Sequence, residues 1–237
     1  MEFKAIILTC EKYHNTRVVA VDNTWGKQVN ALYLSDMTIE DKFIGYPDLP
    51  SGYNNIWMKY TKFFKEYEFN DDWYIFADDD TFVNVKRITD LIKNYQLDNP
   101  VCLGIVGCLN ADATDIHGNN TGFPLQTISG DQTNLPIYYP SGGAGFILNK
   151  TSVNKIKKYL TDLELGTTPR CYNSDVTMGF WIRNSGINLI STEGFWWSNP
   201  EDLKHDESTI INSYTYHYVN ENLMVELDNK INNKLHE

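Results

Sequence analysis

Residues Trp73 to Val83 read WYIFADDDTFV: an apolar run, three consecutive aspartates, a threonine and two more apolar residues. The run has the length of a strand buried on both faces. Like charges at the end of such a strand repel and lose hydration unless a cation or hydrogen bonds compensate them. The reading that follows is a bound metal. In an extended strand end, Asp78 and Asp80 point the same way and Asp79 the other, so the outer pair can share one divalent cation. Oxygen ligands at this density suit Mg²⁺ or Mn²⁺. The competing reading is a solvated acidic turn with Thr81 capping the next helix.

Outward from this stretch, strands and helices alternate. FKAIILTC opens the chain as a second buried run, followed by a helix through Val18, Val19, Val21 and Trp25, capped by Asn15 or Thr16. QVNALYLSD is a strand ending on Ser35 and Asp36. NNIWMKYTKFFKEYEF places Ile56, Tyr60, Phe63, Phe64 and Tyr67 on one helix face, and VKRITDLIKNY does the same with Val85, Ile88, Leu91, Ile92 and Tyr95. Three such alternations predict an α/β chain with a parallel sheet, whose ligands bind where Asp36 and Asp78 to Asp80 fall. VCLGIVGC, GFILN and INLIST are further strands, and SYTYHYV is an alternating segment. TSVNKIKKYLTDL is a helix capped by Thr151 or Ser152, and VTMGFWIRNSG a short helix ended by Gly186. The polar stretch 110–134 is too long for an idle loop. No repeat or linker divides the chain, which reads as one domain.

Composition narrows the function. Twenty basic against 31 acidic residues give a net charge of −11, which excludes a broad electrostatic grip on nucleic acid. No apolar run reaches the length of a membrane span or forms a good signal peptide. Cys10, Cys102, Cys108 and Cys171 are too few and scattered for a disulfide framework and have no zinc spacing, so they read as mostly buried thiols, with one disulfide as the alternative. Sequons at Asn119 and Asn149 carry meaning only in a secreted protein.

Other aspartate motifs fit less well. A haloacid-dehalogenase phosphatase wants Thr or Val two residues past its second Asp, where this chain has Phe82. The Gly and distal Glu of an EF-hand are missing, as are GxxxxGK[ST] and GxGxxG. In YPSGGAGFILNK, Gly142, Gly143 and Gly145 permit close approach of a backbone or ligand. In NSDVTMGF, Asp175 stands at a helix start, either as a cap or as a general base.

Together, WYIFADDDTFV, YPSGGAGFILNK and SDVTMGF resemble the β1,3-glycosyltransferases that include Fringe and the core-1 β1,3-galactosyltransferases. ILTCEKYHNTRVVAVDNTWGKQVNALYLSD and YTYHYVNENLMVELD extend the likeness over nearly the whole chain. The resemblance implies a GT-A-type fold, with 1–100 mainly the nucleotide-binding half and 101–237 mainly the acceptor-binding half. It implies an inverting transfer of a hexose or N-acetylhexosamine from a UDP-sugar to a hydroxyl of a glycan or glycoprotein, through a β1,3 linkage. The cation, Mn²⁺ or Mg²⁺, is expected on Asp78 and Asp80, and Asp175 matches the family's base. Thr9, Arg17, Asp36, Trp57, Lys59, Asp79, Gly142 and Gly143 match its donor-binding regions. Fringe-like members place a metal-binding His in a Phe-His pair where this chain has Trp196. His217, in Tyr216-His217-Tyr218-Val219, is therefore expected as the third metal contact, with Trp196 and Trp197 as an apolar wall for the acceptor. Animal members are anchored Golgi proteins, whereas here the first strand follows Met1 directly. The expectation is a soluble enzyme in the cytoplasm of a microbe or virus-infected cell, or in the Golgi lumen without its anchor. The alternative function is a catalytically silent carbohydrate or UDP-sugar-binding protein of the same fold.

Overall fold

The computed structural model describes residues 3–109, 136–163 and 173–233. In chain order the strands are β1 (Phe3–Leu8), β2 (Asn30–Ser35), β3 (Phe43–Gly45), β4 (Trp73–Asp78), β5 (Phe82–Val83), β6 (Val101–Gly104), β7 (Val106–Leu109), β8 (Ile137–Pro140), β9 (Phe146–Asn149), β10 (Asn188–Ser191), β11 (Phe195–Trp196) and β12 (Thr215–Tyr216). The helices are α1 (Arg17–Asn23), α2 (Ile56–Glu66), α3 (Val85–Ile92), α4 (Lys150–Asp162), α5 (Ser174–Asn184), α6 (Glu207–Asn212) and α7 (Glu221–Asn233).

Seven strands form the central sheet in the order β10-β6-β9-β4-β1-β2-β3. All neighbours are parallel except β9, which runs antiparallel between β4 and β6. The sheet is thus mixed and mostly parallel, with helices on both faces; the alternating pattern predicts its parallel pairs, and the antiparallel β9 departs from that pattern. Both faces are buried, which is why β1 and β4 are apolar throughout instead of alternating. Ala5, Ile7, Trp73, Ile75 and Ala77 pack with residues of α1, α3 and α7, while Ile6, Tyr74 and Phe76 pack with α2, α4 and α5. Phe64 of α2 stacks on Phe76 at 5.4 Å and meets Trp181 of α5 edge-on.

Two caps differ from expectation. Helix α4 is capped by Asn149, whose side chain accepts from the Ser152 amide, and not by Thr151 or Ser152. Asn149 is fully buried and also donates to Asn99 O at 2.6 Å, so its sequon is closed to glycosylation in the folded chain. Helix α3 is capped by Asn84, and Thr81 instead donates its hydroxyl to Gly143 O at 2.7 Å. The expectations for 110–134, Asn119 and Cys171 lie outside the described residues. Cys102 is buried in the sheet, which pushes its thiol up. No helix among the described residues is long and apolar enough to cross a membrane.

Candidate functional site

Strand register assembles the site. Leu8 pairs with Leu34 on one side and Asp78 on the other, so β1, β2 and β4 end at the same level. The ladder runs on through Thr9 N to Leu34 O and Asp79 N to Leu8 O, both at 3.0 Å. Thr9, Asp36 and Asp78 to Asp80 therefore leave the sheet together and line a cavity of about 790 Å³, within the usual range for a small-molecule site.

The expected extended strand end is instead a turn: β4 stops at Asp78 and Thr81 N donates to Asp78 O at 3.0 Å, and this turn separates the three carboxylates. Asp79 turns toward α1, where Oδ2 accepts from Thr9 Oγ1 at 2.6 Å and Oδ1 from Arg17 Nη1 at 3.0 Å. Asp78 and Asp80 turn toward His217, whose Nε2 lies 3.4 Å from Asp80 Oδ1 and 3.8 Å from Asp78 Oδ2. One ligand atom from each of the three falls within 4.8 Å of the others. Two carboxylate oxygens and one imidazole nitrogen at this separation form a donor set suited to a divalent cation.

The site's electrostatics point the same way. Burial pushes Asp78 up to about 7, helped by Asp80 and Asp175 and opposed by His217. Its side chain keeps 31% of its surface open to the cavity, so solvent moderates this upward shift. For Asp80, burial is outweighed by the hydrogen bond and charge of His217 and by Arg17, which hold it below the usual carboxylate range. For His217, burial is outweighed by Asp80 and Asp78, and its affinity for a proton rises.

The opposite wall is a glycine turn and the first turn of α5. Asn173 caps α5 by accepting from the Asp175 amide at 2.9 Å, so Asp175 is not the cap. Burial raises the Asp175 carboxyl, against the amide of Gly142, which hydrogen-bonds to it, and the charge of His217. A Cβ at Gly142 would collide with the Asp175 carboxylate, and one at Gly143 with the His217 imidazole. These two positions need glycine because the functional side chains fill the space a methyl would take.

His217 reaches the aspartates through a small second sheet, β11-β12-β5. Tyr216 pairs with Phe82, two residues after Asp80, and Val219 N donates to Asp80 O at 2.9 Å. These backbone bonds hold the histidine over the end of β4.

The remaining expected residues divide. Lys59 is buried in the cavity wall, ion-paired with Asp36 and 3.5 Å from Thr9 O. Arg17 lines the cavity but is bound to Asp79 and Asp80. Trp197 lines the cavity and is 56% exposed. Trp196 faces away: its Nε1 donates to Ser213 Oγ at 2.7 Å and its ring meets His205 edge-on at 4.5 Å. Trp57 is half-buried on α2 and does not line the cavity.

Tyr53 and Tyr218 join Trp197 in the lining and are 57% and 61% exposed. Sequence reading missed both. Tyr53 follows Gly52, whose φ of 101° makes a turn that no periodicity reveals, and Tyr218 has a left-handed φ of 54° that no sequence signal announces.

The chain matches, over residues 3–235, a family model described as Fringe-like. It is similar to a human β-1,3-glucosyltransferase, 24% identical over 209 residues that cover 84% of this chain and 36% of that protein. It is also similar to glycoprotein-N-acetylgalactosamine 3-β-galactosyltransferase 1 of Xenopus laevis, 29% identical over 191 residues, 76% of this chain and 44% of that protein. The chain thus spans less than half the length of these curated relatives. Its backbone is similar to that of the galactosyltransferase LgtC in complex with donor and acceptor sugar analogs, with a TM-score of 0.50, 12% identity and 95% of each chain covered. That likeness establishes the fold, which is of the GT-A type.

Proposed function

The chain belongs to the Fringe-like family, and from that membership we propose that it is an inverting, metal-dependent glycosyltransferase moving a hexose or N-acetylhexosamine from a UDP-sugar to a glycan or glycoprotein hydroxyl. The observation that carries the reading is the facing of two sets across one cavity: Asp78, Asp80 and His217 on one wall, Asp175 on the other, with Gly142 and Gly143 between. The curated relatives, a glucosyltransferase and a galactosyltransferase by name, support a hexose transfer through a β1,3 linkage.

Asp78, Asp80 and His217 would hold the cation, Mn²⁺ or Mg²⁺. Bound there, it supplies neutralisation of the charge that develops on a diphosphate leaving group. The chain's own residues do the rest. Asp175 takes the proton of the acceptor hydroxyl as it attacks, and its raised proton affinity makes it a better base than a solvated carboxylate. The amide of Gly142 keeps that carboxylate aimed into the cavity. An inverting displacement needs this single base and no covalent nucleophile, in keeping with a site built on carboxylates.

Thr9, Asp36 and Lys59 lie at the ends of β1 and β2 and on α2, where the uridine and diphosphate belong by the family resemblance. A diphosphate reaching Lys59 competes with Asp36 for its ammonium. Trp197, with Tyr53 and Tyr218, offers exposed aromatic faces for the apolar side of an acceptor sugar. On this reading 1–100 serves mainly the nucleotide and 101–237 mainly the acceptor.

The test is UDP release from a panel of UDP-sugars with Mn²⁺ or Mg²⁺ and simple glycoside acceptors. Asp175→Asn should abolish transfer and keep UDP binding. Full transfer by that variant, or no turnover of any UDP-sugar by the wild type, overturns the reading.

A further inference from the structure

We infer that Arg17 is a positioning residue for the metal-binding carboxylates; this rests on the cation site proposed above. One guanidinium nitrogen meets two neighbouring aspartates, Asp79 Oδ1 at 3.0 Å and Asp80 Oδ2 at 2.9 Å. The guanidinium lies over the Tyr13 ring, 4.1 Å from its centroid, which fixes its plane. Thr9 Oγ1 holds the remaining oxygen of Asp79 at 2.6 Å. Both oxygens of Asp79 are therefore engaged, as is one of Asp80. Only Asp80 Oδ1 is left to face His217.

Arg17 acts on a cation in two opposite ways. As a positive charge beside the site it repels a divalent ion. As a hydrogen-bond donor it withholds Asp79, and as an ion-pair partner it orients Asp80, so that the donor set is one oxygen from Asp78, one from Asp80 and the His217 nitrogen. The Asp79 and Asp80 side chains are only 5% and 13% exposed. Without Arg17 these adjacent carboxylates repel, rotate or take up protons, and the preformed set is lost. Outer partners of metal ligands commonly contribute about 10- to 100-fold in metal affinity, so orientation outweighs repulsion here.

The two effects differ in sign, which makes the inference testable by Mn²⁺ titration of the full chain, reading free Mn²⁺ by electron paramagnetic resonance. Arg17→Gln should bind Mn²⁺ at least about tenfold more weakly than wild type. Arg17→Lys keeps the charge but not the plane stacked on Tyr13, and should recover only part of the loss. Thr9→Val, which frees Asp79 without changing any charge, should weaken Mn²⁺ in the same direction and serves if Arg17→Gln does not fold. Equal or tighter Mn²⁺ binding by folded Arg17→Gln overturns the inference, as does an Arg17→Lys variant indistinguishable from wild type. A wild-type chain that binds no Mn²⁺ overturns the cation site itself.

Discussion

His217 Nε2 lies 3.4 Å from Asp80 Oδ1, although the two residues come from different halves of the chain. The contact is held by the pairing of Tyr216 with Phe82 and by the bond from Val219 N to Asp80 O. Replacing His217 by Ala removes one of three ligands while leaving those backbone bonds in place. The wild type should gain several degrees in melting temperature on adding Mn²⁺, by mass action. His217→Ala should lose most of that gain; an undiminished gain would remove His217 from the metal set.

Metal binding should also depend on pH. A cation needs Asp78 ionised and His217 neutral, yet in the metal-free protein both groups have raised proton affinity, Asp78 to about 7. Binding therefore releases protons, and Mn²⁺ affinity should rise from pH 6 to pH 8. Without metal the sign reverses. A carboxyl raised in the fold contributes stability at low pH that is lost as pH climbs from about 4, its unfolded value, toward 7. The raised His217 contributes stability that is lost as pH rises through its folded value. Melting curves with and without Mn²⁺ between pH 5 and 8 should diverge as pH increases, and parallel curves would contradict this.

The glycine turn separates two effects within one motif. Gly143→Ala places a methyl against the His217 imidazole and should weaken Mn²⁺ binding, while Gly142→Ala places one against Asp175 and should lower kcat with Mn²⁺ binding retained. A displacement of about 1 Å at a reacting group can cost on the order of 10²-fold. Measuring kcat and Mn²⁺ affinity for both variants checks the split.

The two adjacent tryptophans should behave oppositely. Trp197→Ala removes an exposed cavity face, so acceptor KM should rise while stability changes by no more than about 0.5 kcal/mol. Trp196→Phe deletes the bond to Ser213 Oγ and should cost about 1 kcal/mol in denaturant unfolding with acceptor KM unchanged.

Much of this was legible because it depends on local periodicity. An apolar run ending in charge means a buried strand meeting a ligand edge; period 2 predicts Asp78 and Asp80 on one side and Asp79 on the other, but the chain reaches that split through a turn closed by Thr81 N on Asp78 O. The helix faces of α2 and α3 follow equally from spacing of 3.6. Caps were less legible, because Asn149 and Asn173 compete with nearby Thr, Ser and Asp residues of similar propensity. Only the fold shows which oxygen reaches an amide.

The sequence by itself determined the α/β alternation, the parallel pairing that goes with it and the acidic strand end, since each rests on neighbours in the chain. Tertiary structure decided what the aspartates face. It inserted β9 antiparallel beside β4, bringing Gly142 and Gly143 to the cavity, and used three short strands to carry His217 there. It turned Trp196 inward and Trp197 outward, and it committed Arg17 to two carboxylates instead of open solvent. Such contacts join residues far apart in sequence, where no local pattern constrains them, and they are settled by strand order and packing.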